Sequence, residues 1–290
     1  MIVATGAAGL VSAGEVDLDP SSFLRARKSR KFMGIQDDLA VITAGRALAQ
    51  ARLSRELLGE RAGLFAVIGY IPFDKSDIAP VLAASLEGER FSMQRFSNGG
   101  FQQAHPLLTF RCLPNMPAYH VSANFDVRGP YYVTYPGAGQ VYAALEEAST
   151  ALGEGLIDVA LVFAVAHQRN FLVEHHLSRV DPPVPSAALR DAGGCLVLER
   201  EESARTAGRK AVLALLEMEQ RYRSYAPIEE QRGEVETFSG RAHASEEYRG
   251  PAALFCELAD AVSSQKPLRV EHRLSARDGI DAFSTWQVHP

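Results

Sequence analysis

The run IDVALVFAVA at 157–166 is apolar at nearly every position. A strand made from it has no polar face to show to water, so both faces must be covered by other elements. That demand predicts a layered α/β protein with helices packed on a buried sheet. The segment before it fits: Val141, Ala144, Leu145, Ala148 and Leu152 lie on one face of a helix that ends at 153–155. With 290 residues, 47% hydrophobic and 22% charged, the chain can bury a substantial core as one large domain or two intimate halves.

Further elements follow from local pattern. A short strand at 2–5 runs into GAAGLVSAG, which reads as a glycine turn, since its spacing is not that of a dinucleotide fingerprint. Amphipathic spacing predicts a helix over 37–57, then a strand at 63–69. A second helix is expected at 76–86, capped by Ser76 or Asp77, with Pro80 in its first turn. The Gly- and Pro-punctuated stretch 96–134 predicts a loop, a short helix and paired strands. Strands are expected at 193–200 and 211–222, the second with Glu217, Glu219 and Arg221 alternating against Met218, Gln220 and Tyr222. Residues 223–249 are polar and poorly periodic, a helix follows Gly250, and Asp278-Gly279 marks a hairpin between two alternating segments.

A formal charge of −5 and a pI of about 5.9 argue against a nucleic-acid partner, which needs a basic face. The local exception is RARKSRK at 25–31, a solvated helix approach or a docking patch for an acidic partner. Cys112, Cys195 and Cys256 are widely spaced in apolar surroundings and suit reduced thiols in a cytoplasmic protein. No zinc spacing, export signal or apolar run of about 20 residues is present, so neither a metal nor a membrane is expected. Glu174, His175 and His176 are neighbours that point apart and read as surface loop. No sequence pattern pairs His105, His120 or His167, which are expected to be structural, and Cys112 and Cys195 are expected to be inert buried thiols.

The stretch 129–148, GPYYVTYPGAGQVYAALEEA, is a strand that meets a small-residue corner and becomes a helix. Such a corner lifts one reactive side chain above a sheet and aims a helix N-terminus at it. Here it offers neither Cys nor Ser. In its order of elements the chain resembles the ketosynthase branch of the thiolase superfamily. IVATGAAGLVSAG is similar to that family's opening strand, 113–165 to its nucleophile region with an Asn-x-x-Ala approach and Gly129-Pro130, and AGGCLVLER to the strand closing its first half. The resemblance implies a thiolase-like layered α-β-α-β-α fold with a first half at 1–200 and a shortened second half at 201–290.

Condensing members of that family carry Cys at the corner; counting back from Gly139, that position is Pro136, and Tyr135, Gly137 and Ala138 beside it cannot form a thioester either. The two family histidine contexts are absent, and His243 stands at the wrong spacing before GPAAL. A ketosynthase-like chain without nucleophile or histidines resembles the chain length factor of type II polyketide synthases, with no cofactor and no catalytic residue of its own. Many such factors carry Gln at the corner, whereas here Gln140 lies four positions beyond Pro136. The shortened second half leans toward systems that build polyene or aryl polyene chains.

The implied partners are an active ketosynthase, paired as an obligate heterodimer, and an acyl carrier protein. Pairing through the strand before the corner falls at about 119–125 or 131–134, making Tyr119, Val121, Phe125, Tyr131, Tyr132, Val133 and Thr134 candidate interface residues. Leu108, Phe110, Met116, Tyr135 and Pro136 are candidates for lining an acyl tunnel, with ordinary core packing the competing reading for the first three. An uncovered face or edge in the shortened half adds a reason for a permanent partner. The alternatives are an acyltransferase or decarboxylase using another nucleophile, such as Cys112, and a homodimeric acyl-binding scaffold.

Overall fold

The computed structural model describes residues 1–12, 18–71, 73–134, 136–223, 235–239 and 247–290. The first part of the chain forms β1 (Ile2–Ser12), α1 (Ile35–Ala51), β2 (Ala62–Ile68), α2 (Lys75–Ser85), the short strands β3 (Leu86–Glu87) and β4 (Arg90–Phe91), and α3 (Met93–Arg95). Then come α4 (Leu108–Cys112), α5 (Met116–Phe125), β5 (Tyr131–Thr134), α6 (Gln140–Gly153), β6 (Val159–Ala166), α7 (Phe171–Leu177) and β7 (Asp191–Arg200). The remainder forms α8 (Glu201–Thr206), β8 (Leu213–Tyr222), β9 (Val235–Ser239), α9 (Ala253–Ser263), β10 (Leu268–Ser275) and β11 (Ile280–Val288).

Among the described residues the long strands form one sheet in the order β5-β2-β6-β7-β1-β8-β11-β10-β9. β2 is parallel to β5 and β6, while β7 runs antiparallel to β6 and β1. The strands from β8 onward pair antiparallel. The two parts of the sheet meet only at Val3 opposite Ala214 and Ala4 opposite Leu213. This narrow joint lets the second part fold over the helices that cover the first.

β6 is buried at every position, as its sequence demands. Ala160, Val162 and Ala164 pack with α6 and α9, while Leu161, Phe163 and Val165 pack with α1 and α5. On the far side of α6 and α9 lie Val270, Leu274, Ile280, Ala282, Trp286 and Val288 of the second part of the sheet. The layers are therefore helix, sheet, helix and sheet, the thiolase-like order with its second half shortened. No helix layer covers the outer face of β8, β10 and β11 among the described residues.

That outer face needs no cover. It carries Arg269 paired with Glu271 at 3.5 Å, Arg221 with Glu219 at 3.6 Å, and Arg273 at 4.6 Å from the Phe283 ring centroid. The expected bare sheet face is thus replaced by a charged, water-compatible one, and it supplies no argument for a permanent partner.

Four local expectations are corrected. GAAGLVSAG does not turn but continues β1, because its glycines sit where helices press on the strand: a methyl group on Gly6 would lie 2.0 Å from the Ala47 carbonyl oxygen, and one on Gly9 2.9 Å from Cys256 Cα. Residues 119–125 are helix α5 rather than strand. Pro117 sits in its first turn, Ala118, Val121 and Phe125 face α1 at helical spacing, and Asp126 ends it with φ 61°. Glu174, His175 and His176 belong to α7, where His176 Nε2 lies 3.0 Å from the Tyr70 hydroxyl. Pro80 falls in the second turn of α2, since the helix begins at Lys75.

Two buried polar ties fix the layers. Glu199, fully buried on β7, accepts a hydrogen bond from Thr5 Oγ1 at 2.7 Å and is held by the Arg209 guanidinium. Tyr142 of α6 places its hydroxyl 2.7 Å from His272 Nδ1 on β10 and 2.9 Å from Ser284 Oγ on β11, while His272 Nε2 meets Glu236 at 2.8 Å. Removing only the hydroxyl leaves buried His272 Nδ1 without its partner and Ser284 Oγ with Trp286 Nε1 alone, so Tyr142→Phe should lower stability by about 1–3 kcal/mol in urea unfolding.

Candidate functional site

The corner predicted at 129–148 is present. β5 ends at Thr134, and α6 begins at Gln140 with Gly139 as its N-cap. Gly137 has φ 139°, and its carbonyl starts the helical ladder by accepting from Gln140 N at 3.4 Å. The helix therefore rises directly from the glycine. The buried residue of this first turn is Ala138, 4% exposed, while Pro136 is half-buried one residue before the glycine. Neither Pro136, the position assigned by counting, nor the buried Ala138 carries a nucleophilic atom. Tyr135 lies outside the described residues, as does His243.

The space before the helix is filled from within the chain. The hairpin between β10 and β11 turns at Ala276–Gly279, where Gly279 has φ 86°. Asp278, in this turn, lies against the corner. Its Oδ2 accepts from Gln140 Nε2 at 3.3 Å, Gln140 Oε1 accepts from Thr134 Oγ1 at 3.0 Å, and Asp278 Oδ1 accepts from Ile280 N at 3.4 Å. A methyl group on Gly137 would sit 2.5 Å from Asp278 Oδ2, and one on Gly139 2.5 Å from Oδ1. Both glycines are needed for the carboxylate to fit. The placement suits the positive end of the α6 dipole, yet burial raises the Asp278 pKa, opposed by its bonds to the Ile280 amide and Gln140.

The edge beside the corner is open. β5 is the last strand of the sheet, bonded to β2 on one side, with no described strand on the other. Tyr131 is 76% exposed and Tyr119 57%; Tyr132, Val133 and Thr134 are half-buried. Val121 and Phe125 instead point into the α1 side of the core, so they are unavailable to a partner. Between α5 and the edge runs a groove of about 300 Å³ lined by Leu64, Ala118, Tyr119, Ser122, Tyr131 and Val133. Of the expected tunnel residues, Leu108 and Met116 are buried and Phe110 is exposed. Phe110 and Met116 line a separate cavity of about 700 Å³ with Phe32, Tyr119 and His120. It lies on the α1/α5 side of the sheet, and α6 packs on the other. The structure therefore does not join these residues to this chain's own corner.

Residues 3–179 match the model of the N-terminal domain of beta-ketoacyl synthase. The chain belongs to the beta-ketoacyl synthase family. Its fold is similar to a solved complex, AntDE:AntF, described as a type II PKS acyl-carrier protein with its ketosynthase bound to the hexaketide, with TM-score 0.71, 12% identity, and coverage of 99% of this chain and 99% of that one. The ishigamide ketosynthase/chain length factor matches with TM-score 0.57 and 17% identity over 76% of this chain and 63% of that one. The module 6 ketosynthase of the bacillaene synthase from Bacillus subtilis 168 matches with TM-score 0.65 and 11% identity over 100% of this chain and 70% of that one. At these identities the likeness is one of fold. No curated protein matches the chain.

In this beta-ketoacyl synthase relative all three cysteines are buried, which disfavours the thiolate at each. Burial pushes the Cys112 thiol up to about 11, with the Asp77 charge adding to it, and the Cys256 thiol up to about 12. Cys195, fully buried in β7, is raised by burial as well. Two histidines make buried structural contacts: His167 Nδ1 lies 2.9 Å from Asp191 Oδ1, and His272 is in the Tyr142 network. Among the described residues no group of side chains could hold a metal ion.

Sequence reading placed the hairpin at Asp278-Gly279 but not its contact with the corner, since 138 positions separate Gln140 from Asp278 and nothing in local pattern connects them. Two outcomes follow. Iodoacetamide at neutral pH should label the folded chain slowly at all three cysteines, with no fast-reacting thiol by mass spectrometry. Because Asp278 binds its proton more tightly in the folded state, its contribution is complete below the ordinary carboxyl pKa and is lost as pH rises through its raised value. Asp278→Asn should therefore raise the melting temperature at neutral pH, and the gain should shrink on acidification.

Proposed function

We propose that this chain is the non-catalytic, chain-length-factor-type member of a ketosynthase pair in a type II polyketide-like synthase. The observation that carries the reading is the corner: it keeps the strand, the glycines and the buried helix of a nucleophile site, yet it has no nucleophile and is filled by the Asp278 carboxylate. A thioester cannot form there. The acyl chain would be held by the Cys of an active partner ketosynthase.

The partner is proposed to add to the open edge of β5, with Tyr131 and Tyr119 as aromatic anchors over the groove beside it. Likeness to a ketosynthase/chain length factor structure supports pairing of this kind. A ketosynthase bound to its carrier supports an acyl carrier protein as the source of the chain, and the basic run 25–31 suits an acidic carrier surface. Phe110 and Met116 are proposed as end walls for a chain that crosses from the partner past Tyr119, which lines both groove and cavity. A polyene or aryl polyene product belongs to the same proposal.

The test is co-expression with the ketosynthase encoded nearest to it, followed by size exclusion with mass determination and acyl-loading assays. A one-to-one complex whose activity depends only on the other subunit's Cys is expected. Tyr131→Asp, at an exposed position, should weaken pairing by about tenfold or more without unfolding either chain. A stable homodimer that turns over acyl substrate by itself would overturn the proposal.

A further inference from the structure

The cavity beside α5 is open to solvent on one side, with Phe110 and Tyr119 among its exposed lining residues. Its walls are Phe32, Phe110, Met116, Tyr119 and His120, and its rim is Lys28, Ser29 and Lys31. Phe32 and Phe110 pack edge to face at 5.6 Å, and the Lys31 ammonium lies 4.8 Å from the Phe32 ring centroid. At about 700 Å³ it is the size of a small-molecule site rather than a packing defect. Lys28 and Lys31 are exposed and in no described ion pair, whereas Arg30 between them is committed to Asp38 at 2.8 Å.

The unpartnered ring nitrogen of His120 bears on the orientation of an occupant. His120 is 1% exposed, its Nε2 has no hydrogen-bond partner, and burial lowers its pKa to about 4. A neutral imidazole cannot neutralise an acid, so an anionic group belongs at the lysine rim and an apolar body against the aromatic wall.

We propose that this cavity binds a free long-chain carboxylate, its head between Lys28 and Lys31 and its chain along Phe32, Phe110 and Met116. The site is reached from solvent, lies across the sheet from the corner, and does not rest on the paired-subunit reading. If Phe110 and Met116 also end a growing chain, the two occupants exclude one another, and the free acid becomes a competitor of elongation.

Isothermal titration of the full chain, alone or in its complex, with dodecanoate and with 1-dodecanol below their solubility limits tests this. One dodecanoate per chain should bind about tenfold more tightly than the alcohol, with the preference shrinking as salt is raised. The Lys28→Ala/Lys31→Ala chain, altered only at exposed positions, should bind acid and alcohol alike. Phe110→Trp, filling the cavity from an exposed site, should weaken both. Equal affinity of the unaltered chain for acid and alcohol, or unchanged binding in the Phe110→Trp chain, overturns the proposal. Cosedimentation with phosphatidylglycerol vesicles without binding of monomeric dodecanoate also overturns it, because the lysines would then face a lipid surface. None of these readouts uses a second subunit, so their failure is distinct from a failure of pairing.

Discussion

Burial of α6 between two layers of sheet is the constraint on which the rest of the structure depends. A helix covered on two flanks needs apolar residues on both, and Ala144, Leu145, Ala148 and Leu152 supply them with no exposure at all, while Glu146, Glu147 and Thr150 keep to its exposed side. The fully buried Tyr142 hydroxyl on this helix is then costly unless paired. Ser284 and His272 pair with it, His272 reaches Glu236, and Trp286 Nε1 donates to Ser284 Oγ at 3.0 Å. The polar chain thus specifies how the second part of the sheet sits on the helix, while the apolar contacts supply most of the driving force.

The same packing decides what happens at the helix N-terminus. To cover α6, β10 and β11 must run past its first turn, and the hairpin joining them ends there. Glycines at 137 and 139 leave room for one side chain from that hairpin, and Asp278 takes it. A buried helix start that elsewhere in such folds would serve an incoming group is here satisfied internally by a carboxylate and an amide, Asp278 and Gln140. Asp278 thus occupies the space before a helix whose corner carries neither Cys nor Ser.

Much of this was legible in residue pattern. The doubly buried strand, the corner, the helix after it, the hairpin at Asp278-Gly279 and the paired strands of the second part all follow from periodicity and turn chemistry that act over a few residues. Two misreadings have a common cause. Gly6 and Gly9 looked like a turn because the helices that require them, α1 and α9, lie far away in sequence. Residues 119–125 are one of two placements for the strand before the corner, which is β5 at Tyr131–Thr134; the helical choice at 119–125 is made by Pro117 and by packing on α1.

The sequence by itself determined the layered α/β class, the strand-to-helix corner and the absence of a Cys or Ser at it, since these depend on residue type and short-range spacing. Only the tertiary structure decided that a carboxylate from the far hairpin fills the corner, that the outer sheet face is polar and self-sufficient, and that Phe110 and Met116 belong to a cavity across the sheet from α6. Each of these is a contact between segments distant in the chain, and such contacts exist only once the layers have closed.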